Sequence, residues 1–210
     1  MPKRIRTAVV GLGWVARHRH LPVMERSSDY AIMGVIDRAP NRAQAISRQR
    51  GYRYFAESST LSGISWLAEV DAIIVTAAPL AHFMLIQEAL CLNKHVLTEK
   101  PFTMTVEQGE QLRALAGLQK MNLAVVHNFQ FARSFMKLQA AIQSGKMGQI
   151  QSVAAVQLGN PRRRLPIWRE QLPLGLFYDE SPHLLYLLRT LAGEIHLLQS
   201  FFIKVNWNAE

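Results

Sequence analysis

Ile5-Arg6-Thr7-Ala8-Val9-Val10-Gly11-Leu12-Gly13-Trp14-Val15-Ala16 decides the reading of this chain. A short β-branched run ends in Gly11, and helical character follows from Trp14 to Arg26, with a kink or early stop expected at Pro22. The glycines and alanine have the G-x-G-x-x-A spacing of a dinucleotide fingerprint. Gly11 permits the tight turn, Gly13 lets backbone approach a pyrophosphate, and Ala16 lets helix and strand pack closely. The helix amino terminus then offers free N–H groups to phosphate. Leu12, Trp14 and Val15 share that turn and are candidate cofactor contacts with the two glycines.

Working outward, Ala31 to Asp37 reads as the second strand, and Asp37 stands where a ribose-binding acid is expected. Its carboxylate can accept both ribose hydroxyls, which favours NAD. Arg38 beside it can hold a 2′-phosphate, which keeps NADP open. Asn41 to Arg50 reads as a helix closed by Gly51, and Tyr52 to Phe55 as a short strand. Asp71 to Thr76 is the clearest buried strand, Pro79 to Leu92 a helix with Asn93 at its cap, and His95 to Glu99 a further strand. Thr105 to Met121 is a long helix, and Leu123 to His127 a strand. Strands separated by helices of this length predict right-handed βαβ units and a parallel sheet.

Ligands of such sheets bind at the carboxyl ends of the strands. Two further clusters fall there. Val75-Thr76-Ala77-Ala78-Pro79-Leu80-Ala81-His82 makes Thr76, Ala77, Pro79 and His82 cofactor-side candidates, although His82 taken alone reads as a helix-surface histidine. Lys94-His95-Val96-Leu97-Thr98-Glu99-Lys100-Pro101 puts Glu99 and Lys100 at the next strand end, where Pro101 disfavours helical backbone for Lys100. A lysine partly desolvated at such an edge can serve as acid or base; a lysine without that context is a snorkelling surface residue.

The pattern changes after residue 128. Ser134 to Ser144 is helical, Gln149 to Leu158 alternates like a strand, Asn160 to Pro173 reads as a loop, Pro182 to Ala192 is helical, and Ile195 to Val205 is strand-like. Ser181-Pro182 has the form of an N-cap followed by proline, which would leave Asp179 just before the helix; Asp179 is itself an alternative cap. Pro161-Arg162-Arg163-Arg164, with Arg169 nearby, reads as a solvated loop or as a site for an acidic sugar or phosphate.

GLGWVA, VIDR, VTAAPLAH, KHVLTEKP and Asp179-Glu180-Ser181-Pro182-His183 occur in that order. Together they resemble the Gfo/Idh/MocA family of NAD(P)-dependent oxidoreductases, which includes glucose–fructose oxidoreductase and inositol 2-dehydrogenase. The resemblance runs from about residue 4 onward, with E-K-P as its most specific element. It implies an α/β fold: a doubly wound Rossmann sheet in residues 1–127, then the first part of an open-sheet α+β substrate domain in residues 128–210. It also implies that Lys100 contacts the substrate hydroxyl and the cofactor, that His183 transfers the proton, and that Asp179 orients substrate or shares the relay. Asn128 matches a frequent family residue near the cofactor. Gln130 stands where the family often has arginine, and Leu174-Gly175 replaces a common double glycine. Family members continue further, so a fragment or a shortened relative with an incomplete second sheet is expected. An uncovered sheet edge of that kind predicts a homo-oligomer.

Composition narrows the function classes. The chain has 210 residues, 49% hydrophobic and 19% charged, which excludes a disordered or collagen-like polymer. The net charge is 24 − 15 = +9. It is carried by singly scattered residues without an aromatic-rich RNA signature, so nucleic acid is not the expected partner. No uninterrupted apolar stretch reaches the roughly 18 residues of a membrane span. The basic start at Met1 to Arg6 and the apolar Thr7 to Ala16 imitate a signal peptide, but no small-residue cleavage site follows. A single cysteine, Cys91, cannot form an internal disulfide and fits a reducing, cytoplasmic compartment. The expected activity is hydride exchange between NAD(P) and the hydroxyl-bearing carbon of a sugar, polyol or related small molecule, with no metal. The alternatives are a non-catalytic dinucleotide-binding regulator or remnant, and an NAD-dependent glycosidase.

Overall fold

The computed structural model describes residues 4–158, 166–199 and 201. They fall into two compact units. One comprises the described residues of Met1–His127 and Arg164–Glu180, the other those of Asn128–Arg163 and Ser181–Glu210.

The first unit is built on a six-stranded, all-parallel sheet. Its strands are β1 (Ile5–Val10), β2 (Tyr30–Asp37), β3 (Tyr54–Glu57), β4 (Ala72–Val75), β5 (His95–Thr98) and β6 (Leu123–Val125). The spatial order is β3-β2-β1-β4-β5-β6. The direction of winding reverses between β1 and β4, and in such sheets a crevice opens at that point. The helices are α1 (Leu21–Arg26), α2 (Arg42–Arg50), α3 (His82–Cys91) and α4 (Val106–Gln119).

Both faces of the central strands are covered, which is why a strand such as β4 reads as a continuous apolar run. Ala8, Val10, Ile73 and Val75 belong to one buried cluster with Leu85, Ile86 and Leu112. Val9 and Ile74, the alternate residues of the same strands, belong to a second with Leu12, Leu21 and Ile46. The period-two alternation of β-strands therefore feeds two cores.

Element boundaries follow local chemistry. Thr105 caps α4 by accepting a hydrogen bond from Gln108 N at 3.3 Å. Gly51 ends α2 and Asn93 follows α3, both with left-handed backbone at φ 72° and 56°. Pro22 stands in the first turn of α1 and does not end the helix; a π-helical turn at Ala16–His20 leads into it. The third strand is shifted two residues toward the carboxyl end of the predicted span, and Pro79–Ala81 forms a 3-10 turn before α3.

The second unit contains α5 (Arg133–Gln143) and the part of α6 (Leu176–Ala192) that follows Glu180. Two expectations change here. Gln149 to Leu158 forms no strand, because a strand needs a ladder partner and none pairs with it among the described residues. Of the expected last strand, Ile195 to Gln199 and Phe201 are irregular, and Ser200 and the rest lie outside the described residues. Arg162 to Arg164 also lie outside them, while Arg169 sits in a 3-10 turn, Ile167–Gln171. A third expectation is corrected in α6. The helix begins at Leu176, so Ser181 is no N-cap and Pro182 is inside the helix.

Candidate active site

The glycine turn is shaped by Gly11 and the carboxyl ends of β2 and β4. Gly11 has φ +88°, and a Cβ there would stand 2.4 Å from Ala77 N and Cα, so only glycine fits. Gly11 N donates to Ile36 O at 2.8 Å. Leu12 is fully buried, and its N–H donates to Asp37 Oδ2 at 2.6 Å. Gly13 differs: it is exposed, and a Cβ there would meet no protein atom within 4 Å. Open space over a glycine that precedes a helix start matches the demand of a pyrophosphate for bare backbone. Val15 is half-buried, and Ala16 fully buried. Trp14 is exposed, stacks on His18 at 4.9 Å and carries the Arg19 guanidinium 5.4 Å from its ring centre.

Asp37 is more engaged than its predicted ribose role requires. Oδ1 accepts from Ala39 N at 2.8 Å, and Arg42 Nη1 lies 3.4 Å away, while Arg38 is exposed. The acid thus ties the end of β2 to the glycine turn. Thr76 does the same from β4, donating its hydroxyl to Gly11 O at 2.7 Å or Val10 O at 3.1 Å. Ala77 is half-buried and Pro79 buried.

His82 is not a surface histidine. It has 0% exposure, with Nδ1 2.8 Å from Pro101 O and Nε2 3.1 Å from Ala77 O. Burial pushes its pKa below the usual histidine value, more strongly than those backbone contacts and the Glu99 carboxylate raise it.

The end of β5 carries Glu99, Lys100 and Pro101, with the Lys100–Pro101 peptide cis. Glu99 Oε1 lies 2.7 Å from His20 Nε2. Burial alone would raise the Glu99 pKa, but the bond to His20, its charge, and the Lys100 N–H and charge bring it below the usual carboxylate value. Lys100 Nζ donates to Asp179 Oδ1 at 2.8 Å and to Asp179 O at 2.9 Å. The two side chains are only 16% and 13% exposed, so the pair is well shielded from water. Asp179 lies in the first turn of α6, and its carboxylate faces a lysine rather than serving as a helix cap. Beside it, Tyr178 donates its hydroxyl to Thr103 O at 2.8 Å.

The second unit holds the remaining two candidates. His183 is buried and stacks on Phe129 at 4.4 Å between ring centres. Asn128 is exposed at the start of a 3-10 turn, Asn128–Phe131, and Gln130 Oε1 accepts from Tyr186 Oη at 2.9 Å.

Sequence reading missed His20, Arg42 and Tyr178. His20 and Tyr178 act over 79 and 75 residues of chain, and no local pattern marks them. Arg42 is five residues from Asp37 and was readable only as a helix-start arginine. Among the described residues no cluster of three or more His, Cys, Asp or Glu could hold a metal ion. No helix among them is long and apolar enough to cross a membrane.

The reversed strand order and the glycine turn at its switch point define the class, a doubly wound α/β protein of the NAD-binding type. Residues 5–127 match the Gfo/Idh/MocA model, described as an oxidoreductase family with an NAD-binding Rossmann fold. The chain belongs to that family. It is 29% identical over 204 residues to the uncharacterized oxidoreductase YdgJ of Escherichia coli, covering 92% of this chain and 55% of that one. It is 31% identical over 156 residues to a dTDP-3,4-didehydro-2,6-dideoxy-alpha-D-glucose 3-reductase of Actinomadura kijaniata, covering 72% and 45%. The crystal structure of a putative myo-inositol dehydrogenase from Sinorhizobium meliloti superposes with TM-score 0.75 at 23% identity, covering 91% and 56%, a likeness of fold. The chain spans about half the length of the curated relatives it matches, 40% of one and 56% of another.

Proposed function

We propose that this chain is the cofactor-binding and proton-handling part of an NAD(P)-dependent oxidoreductase acting on a hydroxyl-bearing carbon of a sugar, polyol or related small molecule. The observation that carries the reading is the shielded Lys100–Asp179 pair at the carboxyl end of β5. The A. kijaniata reductase named above acts on a dideoxy sugar nucleotide, and an inositol 2-dehydrogenase of Rhizobium meliloti is 25% identical over 190 residues, which supports a polyhydroxylated substrate.

In this reading residues 1–127 bind the dinucleotide and residues 128–210 begin a substrate domain. The turn from Gly11 to Val15 holds the pyrophosphate, with Asp37 and Arg38 at the adenosine ribose and Thr76, Ala77, Pro79, Glu99 and Asn128 bordering the rest. A dinucleotide held there would supply the acceptor or donor of the hydride. Lys100 donates a hydrogen bond to the substrate oxygen and stabilises negative charge as it develops there. Asp179 keeps the ammonium aimed, and His183 takes or returns the hydroxyl proton. Copies of the chain join into an oligomer through the second domain, and the protein works in the cytoplasm.

A fluorescence titration of the purified chain with NADH and with NADPH tests the reading, with Trp14 in the turn as reporter. Saturable binding of either, followed by turnover of a polyol or sugar, is the expected result. A folded chain that binds neither overturns it.

A further inference from the structure

The β4–β5 ladder stops at the point where the site begins. Its last rung pairs Val75 with Thr98, and one further bond runs from Glu99 N to Val75 O at 2.9 Å. Beyond it the two chains separate into the Thr76–Ala77 turn and the Lys100–Pro101 turn. His82, the first residue of α3, stands between them. One ring nitrogen faces Ala77 O and the other faces Pro101 O, and no part of the side chain reaches solvent. A residue with no exposed atom acts on a ligand through its neighbours.

Those neighbours are the working parts of the site. Ala77 packs against Gly11 so closely that a Cβ on the glycine would overlap it. Thr76, one residue earlier, bonds Gly11 O. Pro101 directly follows Lys100, whose ammonium meets Asp179. We propose that His82 is a positioning residue whose imidazole links the turn pressed against the dinucleotide fingerprint to the turn that carries Lys100, and so sets the separation of cofactor and reacting lysine. The inference rests on the proposed oxidoreductase reading for its consequence, though not for the link itself.

The ring suits that task. A neutral imidazole has one N–H and donates to one carbonyl at a time, and the shorter distance favours Pro101. Its rigid plane fills the gap between the two carbonyls in either tautomer. Leucine matches its bulk without a donor, and asparagine keeps an amide donor too short to reach both oxygens.

Amide hydrogen exchange of the full chain, read by mass spectrometry without cofactor, tests the link. In His82→Leu, peptides covering residues 76–81 and 99–103 are expected to exchange about tenfold faster, as loss of one buried hydrogen bond implies, while β1 keeps its protection. His82→Asn is expected to fall between parent and His82→Leu, a partial rescue that bulk alone does not produce. NADH affinity should weaken severalfold in His82→Leu. A folded His82→Leu whose exchange stays within about twofold of the parent in both segments overturns the proposal. Should His82→Leu not fold, His82→Asn decides: faster exchange in either segment supports the link, and parent-like exchange in both overturns it. A parent chain that binds neither NADH nor NADPH defeats the oxidoreductase reading alone, because the exchange result stands without cofactor.

Discussion

Glu99 and His20 meet at 2.7 Å, joining the E-K-P turn after β5 to the helical turn that follows the fingerprint. Both side chains are mostly buried. The pair braces the two segments against each other. Glu99→Gln should therefore lower stability by about 1–3 kcal/mol at neutral pH, the range for a buried bond to a charged group. The Glu99 pKa is lowered in the folded chain from an ordinary value of 4.5. Its contribution is complete above that value and is lost as pH falls through the lower, folded-state value. The difference between parent and variant in denaturant melts should hold from pH 7 to about pH 5 and shrink below about pH 4.

Gly11→Ala and Gly13→Ala should separate a structural glycine from a ligand-facing one. At Gly11 the added Cβ meets Ala77 backbone and the φ is +88°, so a loss of at least about 2 kcal/mol is expected in urea unfolding. At Gly13 the Cβ meets no protein atom, so stability should change by less than about 1 kcal/mol. NADH affinity should nevertheless fall with Gly13→Ala, because the methyl group occupies the approach of the pyrophosphate. Equal destabilisation by both variants would contradict this division.

Lys100→Met should leave NADH affinity within a few-fold of the parent and reduce turnover about 100-fold or more, the usual effect of losing a charge-stabilising donor. Asp179→Asn should have a smaller effect in the same direction, since an amide oxygen still accepts from Nζ at 2.8 Å but without its charge. Steady-state kinetics with binding measured separately checks both. A Lys100→Met chain with unaltered turnover removes the lysine from the mechanism.

Leu174→Gly should stabilise the chain. Leu174 has φ +56° and is 61% exposed, so it pays for left-handed backbone and buries little. Relief of that strain, less the entropy glycine loses on folding, leaves about 0.5–1 kcal/mol. A thermal melt of Leu174→Gly at or below the parent midpoint would falsify this assignment of strain.

Much of the first unit was legible residue by residue. DAIIVT reads as a buried strand because both its faces are apolar, and both faces are indeed covered. Asn93 reads as a cap because asparagine tolerates the left-handed backbone it adopts. The second unit was less legible. Gln149 to Leu158 alternates as a strand should, yet alternation supplies a face and not a partner. Ser181-Pro182 imitates a helix start, but the helix was already under way from Leu176, and an interior proline left no mark that local rules could distinguish from a first-turn one.

The succession of strands and helices, the glycine turn and the position of Glu99, Lys100 and Pro101 at a strand end were determined by short-range pattern, since turn geometry, side-chain alternation and the right-handed βαβ crossover all act within about 30 residues, whereas β1 finds β4 across 65 residues. The pairing of Lys100 with Asp179 and of Glu99 with His20 spans 79 residues in each case, and only tertiary packing of helices against the strand ends brings them together. The same holds for His82. Its sequence context marked a histidine at a helix start, whereas burial between two carbonyls is a property of how two loops pack, which no window of sequence contains.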